Sequence, residues 1–537
     1  MLVIGGGATG TGVALDATSR GLKVCLVEMN DFASGTSSRA TKMAHGGVRY
    51  LARAVENLDI GELEFVQDSL RERRHFFLVA PHLSTPLPLI TPCFNYFEVA
   101  KNFAGLTLYD LLSGTAARIG FAQYVSVSET LKISPGLKPE GLRGSIRYFD
   151  GIFNDARLCM SVALTASALG ACTLNHMRVD ELLLDDASLI NGAKVTDQLT
   201  GEKYTIKSKS IVNATGYFSD TIRRLDDSAG TDKLEPRPEI MKPSAGVHIA
   251  LDNKLFTPDS RTGVLFSKTK DGRVMYLVPY EGVTIAGTTD IPLKGEVTNS
   301  TLAVPDEEQI DFILDMIKEF YKVDVKRSDV KSSWAGFRPL VVAAPTVDSG
   351  NGQSSTAVMS RDHFIEVSKR QMVSITGGKW TTFRRMAEET VDMVYKVKNL
   401  PFKRSQTSKL VLVGAQKYDQ VKINCEDQKV VDHLKHYYGD RAEKVTQIAD
   451  QLGLWNKLAL DMPYIEAEVI YQVRSEMACK ASDVLAYRTS LMFLDREKAL
   501  NAVPRVVELM AKELKWSEAQ KQEELQKGIQ YISTCTI

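Results

Sequence analysis

Neither sign of charge predominates in this 537-residue sequence: Lys+Arg and Asp+Glu number 66 each. A chain without net charge has no general attraction for nucleic acid, so no such partner is expected. Selectivity for an anion must instead come from a local cluster of basic residues. Cysteine is sparse. The seven cysteines (Cys25, Cys93, Cys159, Cys172, Cys425, Cys479 and Cys535) include no C-x-x-C pair. Their odd number and irregular spacing suggest neither a disulfide framework nor a zinc site. Most sit among apolar neighbours, as in Val24-Cys25-Leu26, and read as small core residues in a reducing environment. No window holds the roughly 18 uninterrupted apolar residues of a spanning helix. No signal or transit peptide is visible, and the text opens at Met1-Leu2-Val3-Ile4, already strand-like. A presequence cleaved or omitted would explain that opening, so no address is read from it. Internal repeats and low-complexity tracts are also lacking.

What is present is enough chain for two or three domains. Leu2–Ile4 reads as a short buried strand, Gly5–Gly10 as a tight turn, Ala8–Arg20 as a helix and Lys23–Glu28 as a second strand. That is a βαβ opening. Strand-like text recurs at Ser210–Ala214 and Met372–Thr376, and short β runs fill Gly246–Asp290, with a hairpin turn at Lys270–Arg273. Helical text returns at Glu307–Tyr321 and after Trp380. Beyond Pro401 the segments are charged and largely helical, as in Val503, Val506, Val507, Met510 and Leu514 on one helix face. Pro504 fits that helix only in its first turn. This stretch reads as a separate helical domain.

Gly5-x-Gly7-x-x-Gly10 follows a strand and opens a helix. The first glycine makes the turn, the second lets a pyrophosphate approach the backbone, and the third lets helix and strand touch. The helix N-terminus then faces the anion. Glu28 ends the second strand 18 residues past Gly10, where a carboxylate accepts both ribose hydroxyls. Two further turns separate FAD from NAD. Asn213-Ala214-Thr215-Gly216 ends a buried strand, and Gly377-Gly378-Lys379 precedes a helix from Thr381. Two helix N-termini aimed at one cofactor suit a flavin, one for the pyrophosphate and one for the anionic end of the reduced ring.

Basic residues recur in apolar settings: Lys42, His45 and Arg49-Tyr50 within Thr36–Tyr50, His248, Arg338, Arg361 and Lys379. Arginine suits bidentate phosphate recognition, so a substrate carrying a phosphate monoester is the simplest occupant. Oxidising an alcohol also needs a proton acceptor. Of the eight histidines, His248 is the best candidate, flanked by Val247 and Ile249 on an expected strand. His45 precedes Gly46-Gly47, so its backbone matters more than its ring, and no metal site is expected.

These strings together resemble the FAD-dependent glycerol-3-phosphate dehydrogenases, membrane-associated enzymes of mitochondria and bacteria. The matching text is VIGGGATGTGVALDATSRGL, GTSSRATKMAHGGVRYL, FNDARL, VNATG, PSAGVHI, TIAGTTD, GFRPL, SRDH and GGKWTT, with YIEAEVIYQV and YRTSLMFLD in the C-terminal part. The resemblance implies an α/β fold: a glutathione-reductase-type, Rossmann-like FAD domain, a mixed β-sheet substrate domain and an all-helical C-terminal cap. The expected pieces are about 1–80, 145–240 and 340–395 for FAD, about 81–144 and 241–339 for substrate, and 396–537 for the cap. It also implies roles. Arg49, Tyr50, Arg338, Arg361 and Lys379 would hold the substrate, with Arg338 and His248 at the reacting carbon and His248 as proton acceptor. Gly5, Gly7, Gly10, Glu28, Ala214, Thr215, Gly216, Gly378, Lys379 and Thr381 would bind FAD. Thr36, Ser37, Ser38, Lys42, His45, Gly46 and Gly47 would line the flavin. The C2 hydride of sn-glycerol 3-phosphate would pass to the flavin and the electrons to a quinone.

By the same resemblance the protein would lie on the intermembrane-space face of the mitochondrial inner membrane, as a homodimer or beside respiratory-chain complexes. Animal members carry calcium-binding loops; no D-x-D-x-D-G loop occurs here, so calcium control is not expected. Phe94–Tyr124, rich in aromatic and aliphatic residues, suits either a monotopic interfacial helix or a buried one. The alternatives carried forward are oxygen as acceptor, an amine or amino-acid oxidase on the same fold, an NAD(P)-dependent dehydrogenase, and a non-catalytic flavin subunit of a respiratory assembly.

Overall fold

The computed structural model describes residues 1–114, 119–231, 233–257, 261–266, 274–293, 303–341 and 363–536. Leu2–Ile4 is entirely apolar because it is central: it pairs in parallel with Cys25–Val27 on one side and Ile211–Asn213 on the other. Cys172–Leu174 and Val373–Gly377 extend the sheet in parallel, and His363–Val367 runs antiparallel at its edge. The helix Ala8–Ser19 packs between Asp155–Ala168 and Phe383–Val397, and Val13, Leu26, Val212, Ile375 and Val391 form the core between helices and sheet. A three-stranded antiparallel meander, Met177–Leu184, Ile190–Asp197 and Lys203–Lys207, flanks this body.

The second body is a ten-stranded mixed sheet. Its centre is Ser244–Asp252, paired antiparallel with Ser332–Arg338 and Val283–Gly287, and Gly263–Phe266 is parallel to Ser84–Pro92. The helix Glu307–Phe320 covers one face through Ile310, Ile313 and Ile317. Ser145–Phe153 and Met43–Ala44, inside the stretches expected to belong to the FAD body, join this sheet instead: Ser145–Phe153 pairs antiparallel with Ser84–Pro92 on one side and with Met43–Ala44 on the other. The Lys270–Arg273 turn lies outside the described residues; its flanking strands, Gly263–Phe266 and Met275–Tyr280, do pair antiparallel.

From Gln428 onward the described elements are helical, around a core that includes Tyr464, Leu485, Phe493 and Val506. That core continues into Trp334 and Tyr280 of the mixed sheet. A buried fork also fastens the helical body, where Arg157 donates to both Glu476 oxygens at 2.5 and 2.7 Å. One expectation fails here. Pro504 lies in the interior of the helix Arg496–Leu514, because Asp495 caps the start a full two turns earlier. Its missing N–H is tolerated by a helix whose Ala502, Val503, Val506 and Met510 are buried.

Candidate active site

The fingerprint turn is close-packed. A Cβ on Gly10 would sit 1.8 Å from the Gly5 carbonyl oxygen, so only glycine lets the helix start against the strand. Glu28 turns back over the turn, its carboxylate accepting from the Gly6 and Asn30 backbone N–H groups at 2.6 and 2.8 Å. Burial raises its pKa. Ser37 Oγ accepts from the Ala8 N–H at 2.9 Å. A cavity of about 650 Å³ opens there, lined by Gly5, Gly7, Glu28, Thr36, Ser37, Ala214, Thr215, Gly216, Gly378 and Lys379 among others. Gly10 packs behind it rather than lining it.

The Thr36–Lys42 turn joins this cavity to the mixed sheet. Thr36 Oγ1 donates to the Phe337 carbonyl and Arg39 Nη1 to that of Ala335, at 3.1 Å. Thr41 Oγ1 meets His248 Nε2 at 2.9 Å. Trp380 Nε1 donates to the Ser37 carbonyl at 2.9 Å, and Thr381 Oγ1 accepts from the His45 N–H at 3.3 Å. The fingerprint helix, the Phe337 strand end, the His248 strand and the Trp380 turn, four distant motifs, thus meet at one turn. Of the residues expected to line the flavin, Thr36 and Ser37 line this cavity, and Ser38, Lys42, His45, Gly46 and Gly47 do not. Lys42 is buried in an ion pair with Asp155 at 2.5 Å and donates to the Ser38 carbonyl.

Gly47 holds φ at +90°, and the helix Val48–Asn57 begins from it, with Arg49 and Tyr50 in the first turn and no acidic residue there. A Cβ on Gly47 would meet the Tyr50 ring at 2.4 Å. Gly46 donates its N–H to the Tyr109 hydroxyl at 2.6 Å. The Lys379 ammonium lies 3.9 Å from the Tyr50 ring centroid and 4.5 Å from that of Phe65. Its charge, that of Arg73 and, above both, burial hold the His45 pKa down at about 3. Lys379, which lines the cavity, therefore meets Tyr50 at a positive helix end whose first turn also carries the exposed Arg49, which is the composition of an anion site.

His248 is 4% exposed, stacked on Trp334 and paired across the sheet with Gly287. Burial, then the Arg338 and Lys42 charges, lower its pKa to about 3, so the ring is neutral at physiological pH. Nδ1 has no hydrogen-bond partner among the described residues. Arg338 is held by Asp290 at 2.7 Å and by Thr288 and Thr289, while its neighbours Phe337 and Pro339 line the cavity. Arg361 lies outside the described residues.

Several residues were not read from the sequence. Tyr276 pairs with Gly287, which pairs with His248, so both side chains share one sheet face across a residue with no side chain. Burial and then Asp150 and Tyr50 push its hydroxyl pKa up, and Arg49 opposes them. Strand register alone reveals that. Arg39, Tyr217 and Trp380 line the cavity; Arg39 and Trp380 stand inside quoted motifs, which was the available signal.

Comparison with known proteins agrees with this layout. The family described as FAD dependent oxidoreductase matches residues 1–384, and the C-terminal domain of alpha-glycerophosphate oxidase matches residues 405–521. A mitochondrial glycerol-3-phosphate dehydrogenase of Arabidopsis thaliana is 42% identical, covering 99% of this chain and 86% of its own. That of Rattus norvegicus is 42% identical, covering 99% and 73%. The crystal structure of the Bacillus halodurans glycerol-3-phosphate dehydrogenase complexed with FAD superposes with a TM-score of 0.75 at 29% identity, covering 99% and 94%. The glycerophosphate oxidase of Mycoplasma pneumoniae, at 0.54 and 18%, shares the fold. With the fingerprint cavity, the mixed sheet and the helical body each matched, this chain belongs to the FAD-dependent glycerol-3-phosphate dehydrogenase family.

Proposed function

We propose that this protein binds FAD in the fingerprint cavity, oxidises sn-glycerol 3-phosphate to dihydroxyacetone phosphate, and passes the electrons to a membrane quinone. The observation that carries this reading is Lys379, which lines the cavity, seated over Tyr50 at a helix N-terminus whose first turn also carries Arg49. The cavity fits FAD on its own features: a glycine cradle that a Cβ would fill, a helix start, and Glu28 placed for ribose hydroxyls. Bound FAD supplies the acceptor for two electrons and the C2 hydrogen.

The chain's own residues do the rest. Lys379, Arg49 and Tyr50 bind the phosphate, with Arg361 joining them by the family resemblance. Thr41 orients the His248 ring by its hydrogen bond. Neutral His248 accepts the C2 hydroxyl proton, and the Arg338 guanidinium stabilises negative charge developing on that oxygen. A bound phosphate dianion offsets the surrounding cations and so raises the basicity of His248 as substrate arrives.

The membrane part of the proposal rests on the helix Tyr96–Leu112, where Leu106, Tyr109 and Asp110 are the buried residues. Tyr96 and Phe97 are 75% and 76% exposed, and Phe103, Leu111, Phe121 and Tyr124 are exposed as well. A wholly buried helix is therefore ruled out, and a monotopic contact fits. No helix among the described residues is long and apolar enough to cross a membrane. By the family resemblance and the relatives' mitochondrial names, that membrane is the mitochondrial inner membrane, approached from the intermembrane space.

Anaerobic titration with glycerol 3-phosphate tests the reaction. The flavin absorbance should bleach and return on adding a quinone analogue; bleaching by amino acids instead would transfer the chain to the oxidases. Rapid return with oxygen alone would replace the quinone. For the membrane, Phe97→Glu with Phe103→Glu should abolish flotation with liposomes, and unchanged flotation removes that part.

A further inference from the structure

The cavity that starts at the fingerprint glycines is not closed by the two sheets. Its remaining wall comes from the helical body: Lys480, Asp483 and Tyr487, then Glu524, Lys527 and Tyr531 from the last helix, Glu518–Ile532. The matched C-terminal family domain ends at residue 521, so most of that helix lies beyond it.

Arg39 connects this wall to the dinucleotide turn. It is 7% exposed, lines the cavity, and makes no ion pair among the described residues. Its hydrogen bonds go to the Ala335 carbonyl and, from Nη2 at 3.0 Å, to the Tyr531 hydroxyl, which is also bonded to Tyr487. A buried guanidinium without a carboxylate is costly unless a ligand supplies the negative charge. The other charged groups between this wall and the FAD body, by contrast, meet carboxylates of the protein itself. Arg488 donates to both Asp31 oxygens at 2.7 and 3.1 Å, and His176 Nε2 meets Asp483 at 3.1 Å. Asp31, His176 and Asp483 lie close enough to hold a metal, but the Arg488 fork and the Cys479 and Lys480 N–H groups already occupy their oxygens.

We infer that Arg39 is the counter-ion of an anionic group of bound FAD, and that Tyr531, through Arg39, makes the last helix a clasp on the cofactor. FAD binding and docking of that helix are then one linked equilibrium, and whatever the helix adds to FAD affinity, FAD adds to helix docking. Tyr531 is a positioning residue in this scheme; Arg39 touches the cofactor.

The test uses the full-length holoenzyme, with release of FAD followed by flavin fluorescence and hydrogen exchange followed along the chain. Tyr531→Phe keeps the ring and removes the hydroxyl's bonds to the Arg39 guanidinium and to Tyr487, so FAD should leave about tenfold faster. Amides of 518–532 should exchange faster in that variant, and faster in wild type once FAD is removed. In an Arg39→Met background the Tyr531→Phe change should have no further effect on FAD release. FAD release unchanged in Tyr531→Phe, or exchange in 518–532 indifferent to FAD, overturns the inference. Should Arg39→Met fail to fold, these two measurements still decide it.

Discussion

Replacing Lys379 by methionine separates phosphate binding from every other role of the site. The ammonium lies over the Tyr50 and Phe65 rings at 3.9 and 4.5 Å, beside the first turn that carries Arg49. Methionine fills the same volume and keeps the contact with both rings, so the melting temperature should be unchanged or slightly raised. What is lost is a charge-assisted hydrogen bond to the substrate phosphate, about 1.5–3 kcal/mol. That converts to a loss of about 10- to 150-fold in kcat/KM for glycerol 3-phosphate. Glycerol has the same reacting carbon and no phosphate, so its slow oxidation should change by no more than about twofold. The assay is anaerobic stopped-flow reduction of the flavin by each substrate, with FAD content measured on the same samples. An equal loss for both substrates would refute the reasoning, since Lys379 would then act on the flavin or the fold and not on the phosphate.

His248→Asn should retain FAD and slow flavin reduction by about 10²–10⁴-fold, the usual range for a lost general base; a loss under tenfold would leave His248 as a packing residue. Gly10→Ala places a methyl 1.8 Å from the Gly5 carbonyl oxygen, so helix and strand must part. It should purify with little FAD and a melting temperature lower by several degrees, and a yellow, equally stable variant would contradict that packing. Acid should destabilise the fold. Burial holds His45, His82 and His248 at about 3 against a usual 6.5, so their contribution is full above about pH 6.5 and falls as the pH drops towards 3. At pH 5 that is about 2 kcal/mol for each, offset by about 1 kcal/mol from Asp150, whose pKa is pushed up to about 6. Urea midpoints at pH 7.5 and pH 5 measure the difference, and equal midpoints would sink the claim.

Much of the site was legible before folding because its constraints are local. Gly5, Gly7, Gly10 and Glu28 answer to a turn and one strand, and the structure puts all four where that spacing requires. Gly46-Gly47 and Gly378-Lys379 were legible as turns, and as neighbours only through the family resemblance. Lys42 was misjudged: a lysine inside a matching motif carries no sign that Asp155 waits 113 residues away. Pro504 was misplaced because the start of a helix depends on its cap, Asp495, and on burial that propensity does not report.

By itself, then, the sequence determined the βαβ opening, the dinucleotide turn and the identity of the basic residues available to an anion, since each depends on neighbours within a few residues or one strand. Which of those basic groups converge was decided only by the tertiary structure. Strand register set Tyr276 and His248 on one face, and Asp155 withdrew Lys42 into an ion pair. Docking of the last helix put Tyr531 on Arg39. Each of these pairs residues more than 25 positions apart, and long-range pairing is settled by packing, which no local pattern encodes.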